Sequence, residues 1–307
     1  MVVVIVKYIF GAVNSRRFGA SLGIDLSPDF KQCNFDCLYC ELDKAKPVSK
    51  MIDEPNPEDI VEEVKEYLKK HNYPDVITIT ANGEPTLYSQ LNKLIELLNS
   101  LKGKSKLLIL TNGSTIHRED IQEALLKLDM VKVSLDAVSE KIFKKVDRPI
   151  QNISVKNVID GLIEFRKKFK GELIIEILVV KNVNDTEENM LELRDVLRLI
   201  KPDRVDLGTV DRPPAYRVEP VSDEKLLELG EFLKDFNLNI LFRRNLDFSN
   251  PNLEEDEILE ILKRRPLSID DLTELTDSIT KEKILDRVYK NELKLVNVGG
   301  RDYILNR

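Results

Sequence analysis

Every cysteine of this 307-residue chain lies in one stretch, "KQCNFDCLYC", where Cys33, Cys37 and Cys40 are spaced C-x3-C-x2-C. Thiolates are nucleophiles and metal ligands, so three of them within eight positions could hold zinc, hold an iron-sulfur cluster or do redox chemistry. An odd number so closely spaced does not make a disulfide framework. A closed zinc site takes four ligands, and a cubane iron-sulfur cluster normally takes four cysteines. The chain has no fourth cysteine, and its two histidines, His71 and His117, fall near the ends of helical patterns. With three thiolates on a cubane, one iron keeps a coordination position for something that is not protein.

Polar residues that could surround such a site recur at the ends of apolar runs. "DVITIT" leads into Asn82, Gly83 and Glu84, "KLLILT" into Asn112 and Gly113, and "MVKVSL" into Ser134 and Asp136. Each "NG" alone reads as a turn. Gly83 would let backbone approach a ligand closely.

The elements that must position these residues are short β-branched runs alternating with longer amphipathic patterns, the signature of βα units around a parallel sheet. Strands are expected near "SLGIDL", "DVITIT", "KLLILT", "MVKVSL", "ELIIEILVV" and "DRVDLG". Helices are expected from Asn56 or Pro57 to about His71, from Ser89 to Leu101, from Arg118, from Ser154 to Lys170 and from Ser222 to Phe236. Six βα units can form an open doubly wound sheet or a partial barrel. In both, chemistry belongs at the C-terminal strand ends.

Hydrophobic residues make up 42% of the chain, enough for a substantial core, and the length fits about two domains. "MVVVIVKYIF" is short, β-branched and carries Lys7, so it reads as a strand and not as a secretory signal. No run approaches the ~20 apolar residues of a membrane span. Reduced thiols and no signal give a cytoplasmic expectation. The formal net charge of -7 provides no global basic field for nucleic acid.

The cysteine spacing, with Tyr39 just before the last thiol, resembles the radical S-adenosylmethionine (SAM) superfamily. The resemblance covers about residues 11 to 245 and implies a partial (βα)6 barrel, TIM-barrel-like. It implies a 4Fe-4S cluster on Cys33, Cys37 and Cys40, with the SAM amino and carboxylate groups on the fourth iron. "NGE" stands where the family has a Gly-Gly-Glu type motif, so Glu84 would hold the SAM amino group and Asn82 replaces the first glycine. Ser134 would lie by the ribose or methionine part of SAM with Asp136 beyond, and Asn112 would line the pocket. The implied activity is one-electron cleavage of SAM to methionine and a 5'-deoxyadenosyl radical that abstracts hydrogen from substrate. The electron would come from a low-potential donor of flavodoxin or ferredoxin type.

Within the superfamily, "SRRFGASLGIDLSPDFKQCNFDCLYC", "GEPTL" and "DRPP" are similar to iron-sulfur oxidoreductases grouped with wyosine-type tRNA-modifying enzymes. Those enzymes tend to carry a second cluster, for which this chain has no cysteines. A tRNA base is therefore one expected substrate, and a small metabolite or a polypeptide is the alternative. Arg16, Arg17, Arg148 and Arg212 are candidates to clamp an anionic substrate, against a plain reading as surface ion pairs.

Residues 1–245 are thus expected to form the radical SAM domain, 246–253 a linker and 254–307 a winged-helix-like domain of three short helices and a Gly-Gly hairpin. Thr280 to Asn291 would be its recognition helix. The tail carries ten Lys and Arg against thirteen Asp and Glu, a net of -3, whereas a nucleic-acid footprint is usually basic. A reading from another class is a non-enzymatic iron-sulfur or zinc sensor whose winged helix binds DNA, which leaves the six βα units without a purpose.

Overall fold

The structure is a computed structural model that describes residues 7–15, 18–241, 253–264, 266–298 and 301–306. Strand β1 (Ile9–Ser15) pairs antiparallel with β2 (Gly19–Asp25). Strands and helices then alternate: α1 (Pro57–Lys70), β3 (Val76–Thr80), α2 (Leu91–Leu101), β4 (Lys106–Thr111), α3 (Glu119–Leu125), β5 (Met130–Ser134), α4 (Glu140–Val146), α5 (Val155–Lys168), β6 (Glu172–Val179), α6 (Glu187–Ile200), β7 (Arg204–Thr209), α7 (Asp223–Glu231) and β8 (Leu238–Ile240). The sheet order is β1 through β8 without interruption, and β2 to β8 are parallel. An open doubly wound sheet reverses its order at a switch point, whereas a barrel wall runs sequentially. The uninterrupted order is that of a barrel wall. Among the described residues its two edges do not pair, so the barrel is partial.

The six expected βα units are β2–α1 through β7–α7. They are flanked by two strands outside that expectation, the antiparallel β1 and the short β8. The strand expected over residues 1–10 lies mostly outside the described residues, and β1 instead extends through "GAVNS". Helix starts follow local capping: Asn56, Ser139, Ser154, Thr186 and Ser222 each accept a hydrogen bond from a first-turn amide, satisfying donors that a helix leaves orphaned.

Alternation along the strands divides two cores. Ile77, Ile79, Leu107, Ile109, Val131, Val133, Ile175 and Ile177 pack with the helices. Val76, Leu108, Met130 and Ile174 form a smaller cluster with Phe18 and Leu110. On that second face Lys132 is 2% exposed and pairs with Glu176 at 2.8 Å and Asp206 at 3.0 Å. Arg204 reaches Asp206 at 3.0 Å and Glu172 at 3.3 Å. Two carboxylates on one buried ammonium offset its desolvation.

The C-terminal unit comprises α8 (Glu255–Arg264), β9 (Leu267–Ser268), α9 (Ile269–Leu275), α10 (Ser278–Tyr289), β10 (Lys294–Val298) and β11 (Arg301–Leu305), with sheet order β10-β11-β9. It has its own core, including Ile258, Leu267, Leu272, Ile284 and Ile304. Residues 242–252 lie outside the described residues, and with them nearly all of the expected linker. No helix among the described residues is long and apolar enough to cross a membrane.

Candidate functional site

The segment carrying the cysteines lies across the C-terminal ends of several strands, and hydrogen bonds, most of them between backbone groups, hold it there. After β3, Gln32 N donates to Asn82 O at 2.8 Å and Glu84 N to Gln32 O at 2.9 Å. After β4, Asn34 Nδ2 donates to Ser114 Oγ at 2.7 Å. Beyond β5 and α4, Leu38 N donates to Val146 O at 2.9 Å and Ile150 N to Asn34 O at 3.0 Å. After β7, Ala215 N donates to Cys40 O at 2.8 Å. Gln32 adds a clamp on the returning chain, accepting from Ile52 N at 2.7 Å and donating to Asp53 O at 2.9 Å.

Gly83 is required by this arrangement. Its φ is +143°, and a Cβ there would lie 1.9 Å from Gln32 O. The backbone that approaches this glycine is the cysteine segment itself, which is a different reason for a glycine than the ligand contact expected from sequence.

The three thiols are partly buried and pack against the main core. Burial, with the Glu84 carboxylate behind it, pushes the Cys33 thiol up to about 12. Burial and Asp147 push Cys37 well above an ordinary thiol. Such sulfurs become thiolates readily only when a cation takes the proton's place. Among the described residues no three His, Cys, Asp or Glu side chains are gathered tightly enough to hold one ion. A cubane's cysteines bind different irons and need no such convergence, so the donor set fits a cluster better than a single zinc. His71 stacks on Tyr67 at 4.4 Å between centroids, and His117 is exposed ahead of α3.

The strand-end residues divide into two kinds. Glu84 is 1% exposed, and its carboxylate accepts from Thr86 N at 3.0 Å, Thr86 Oγ1 at 2.6 Å, Thr111 Oγ1 at 2.5 Å and Asn112 N at 2.7 Å. Asp136 is equally buried and accepts from Tyr39 Oη at 2.5 Å and Leu178 N at 2.7 Å. Burial raises both carboxyls, Asp136 to about 6. Burial first, then Asp136, raises Asp147, whose Oδ1 lies 3.5 Å from both Cys37 Sγ and Tyr39 Oη. Asn82 and Ser134 keep partly exposed side chains, and Asn112 Nδ2 lies 2.9 Å from Asn34 Oδ1 and 3.8 Å from Cys33 Sγ.

The arginines expected at the mouth are engaged by the protein. Arg212 donates to Glu41 at 2.6 and 2.8 Å, directly after Cys40. Arg148 pairs with Asp36 at 2.9 Å and lies 4.4 Å over the Tyr216 ring, whose hydroxyl also donates to Asp36. Arg16 and Arg17 lie outside the described residues. Gln32, Asn34, Glu41, Asp147 and Tyr216 were not legible as site residues. Gln32 and Asn34 stand inside the cysteine motif, and only contact reveals their partners.

The family model of the radical SAM superfamily matches residues 28–194, more than half of the chain, including the cysteine loop and the ends of β3, β4 and β5. The chain belongs to the radical SAM superfamily. It is therefore an enzyme of that superfamily, and the non-enzymatic sensor is set aside. A UPF0026 protein of Helicobacter pylori is 36% identical over 96% of both chains, and one of Methanocaldococcus jannaschii is 33% identical over 94% of this chain and 92% of that protein. Streptococcus suis SuiB, solved with its precursor peptide SuiA, shares the fold with a TM-score of 0.57 at 19% identity, covering 72% of this radical SAM chain and 48% of SuiB.

Proposed function

We propose that Cys33, Cys37 and Cys40 hold a 4Fe-4S cluster and that SAM binds beside it. The observation that carries this reading is the seating of three thiols over polar strand ends. When bound, the cluster and SAM together supply a 5'-deoxyadenosyl radical for hydrogen abstraction. The protein's task is binding, orientation and shielding. Asn82, Gly83, Asn112 and Ser134 face SAM in this reading. Glu84, Asp136 and Tyr39 act from behind by fixing the strand ends and the cysteine segment. Arg148 and Arg212 hold the cysteine segment to its neighbours instead of gripping substrate.

For the C-terminal unit we favour a winged-helix-like docking surface for polypeptide over one for tRNA. The unit's basic residues on and just after α10 have partners within the protein: Lys281 with Thr273, Lys283 and Arg287 with Glu255, Lys290 with Asp286. Its exposed Ile279, Tyr289 and Leu295 are apolar. Such a composition suits protein contact better than phosphate contact. The electron donor is a flavodoxin- or ferredoxin-type protein.

The test is anaerobic reconstitution. Close to four irons and four sulfides per chain, lost in Cys33→Ala, Cys37→Ala and Cys40→Ala, with dithionite-dependent release of 5'-deoxyadenosine from SAM, is the expected result. One tight zinc and no iron would overturn it. Exposing the loaded enzyme to bulk tRNA and to a peptide pool, then reading SAM turnover, separates the two substrate classes.

A further inference from the structure

We propose that Lys31 is the counter-charge of the Cys40 thiolate and through it raises the reduction potential of the cluster, an inference that rests on the cluster assignment above. Lys31 is only 9% exposed, and its Nζ lies 3.2 Å from Cys40 Sγ. Among the described residues that sulfur is the ammonium's sole hydrogen-bond partner, and no carboxylate pairs with it. Elsewhere in the molecule a buried lysine is handled differently: Lys132 has both Glu176 and Asp206. A buried charge without an opposite charge is costly. For Lys31 the available opposite charge is a ligand sulfur.

The three sulfurs are unequally surrounded. Cys33 Sγ receives Phe35 N at 3.4 Å and lies 3.8 Å from Asn112 Nδ2, both neutral donors. Cys37 Sγ faces the Asp147 carboxyl at 3.5 Å. Among the described residues, Cys40 alone of the three has a full positive charge in contact. The placement is enforced from the next residue, because Gln32 is fixed by its backbone bonds to Asn82 and Glu84 and by its side-chain clamp on Ile52 and Asp53.

Reduction adds one electron to the cluster, drawn from the low-potential donor, and so adds one negative charge beside the ammonium. A cation held against a ligand sulfur stabilises the reduced form more than the oxidised form. Net charge and hydrogen bonds to the sulfurs are the terms that set iron-sulfur potentials, and partners of the ligands tune the metal centre. Lys31 therefore makes the cluster easier to reduce by its donor.

The test compares full-length wild type with Lys31→Met and Lys31→Gln, which remove the charge, and Lys31→Arg, which keeps it. Each is reconstituted anaerobically, and the midpoint potential is read by EPR-monitored titration without SAM. The neutral variants should shift the reduction equilibrium at least tenfold toward the oxidised cluster, about 59 mV for one electron, and Lys31→Arg should shift it less. Equal potentials in wild type and a fully loaded neutral variant would overturn the inference. If the neutral variants lose iron with unchanged circular dichroism while Lys31→Arg keeps it, the counter-charge role is supported. Loss of iron in all three would overturn it. Wild type that takes up no iron would instead overturn the cluster assignment itself.

Discussion

Tyr303 Oη, in the last strand of the C-terminal unit, lies 3.3 Å from Asp211 Oδ1, and the next residue, Arg212, holds Glu41 directly after Cys40. A few bonds thus connect the end of the chain to the cysteine loop. Tyr303 is 2% exposed and Asp211 partly exposed, so this contact is partly buried. Deleting everything from Leu253 onward should leave the barrel's own core intact but loosen the Arg212–Glu41 pair. We expect faster iron loss to a chelator in the truncated protein, with a smaller acceleration in Tyr303→Phe. Identical release rates in all three would show that the two units are independent at the site.

Gly83→Ala should be among the most damaging single substitutions in the barrel. It places a methyl group 1.9 Å from Gln32 O at a backbone angle that side chains rarely adopt. Relief requires moving the cysteine segment off the β3 end. Destabilisation of roughly 3 kcal/mol or more is expected from such a combination of clash and strain, together with loss of iron uptake. Urea unfolding of the metal-free protein and iron content after reconstitution check the two effects separately.

Glu84→Gln tests a carboxylate that acts from behind. Burial raises the Glu84 carboxyl above its usual range, so in that window the folded protein holds a proton that the unfolded chain has released. Stability from this group is therefore full at low pH and declines as pH rises from about 4.5 through the raised value. Glu84→Gln should flatten that decline in metal-free protein. At neutral pH it should cost about 1–3 kcal/mol, because an amide NH2 would face donors in place of an acceptor. A slope identical to wild type in urea melts from pH 4.5 to 7 would contradict the assignment.

Replacing Lys281, Lys283, Arg287 and Lys290 together by alanine should leave any salt dependence of RNA association unchanged, since these side chains are already paired. Each exposed pair contributes only about 0–1 kcal/mol, so the variant should still fold. A shallower slope of log affinity against log salt would restore the nucleic-acid reading of α10. Substituting Ile279 and Tyr289 by serine should instead weaken turnover of a polypeptide substrate, read as a rise in KM.

Local chemistry made much of this enzyme legible in its sequence. Cysteine spacing is a property of one short loop, β-branched runs and helical periodicity are set by neighbours in the chain, and caps such as Asn56 and Ser222 act within a single turn. The grouping of the three cysteines, the six βα units and the polar strand ends therefore followed from residue order alone. Contacts between segments far apart in the chain did not. The sequential strand order separates a barrel from an open sheet, and β1 and β8 have no strong pattern of their own. That Glu84 accepts four hydrogen bonds from Thr86, Thr111 and Asn112 was likewise invisible before folding. Arg148 and Arg212 could be read as substrate clamps or as ion pairs, and which carboxylates they meet, Asp36 and Glu41, only the fold decides. Lys31 looked like one lysine among many until folding buried its ammonium against Cys40. A side chain's charge is written in the sequence, but what it meets depends on which strand ends the chain brings together.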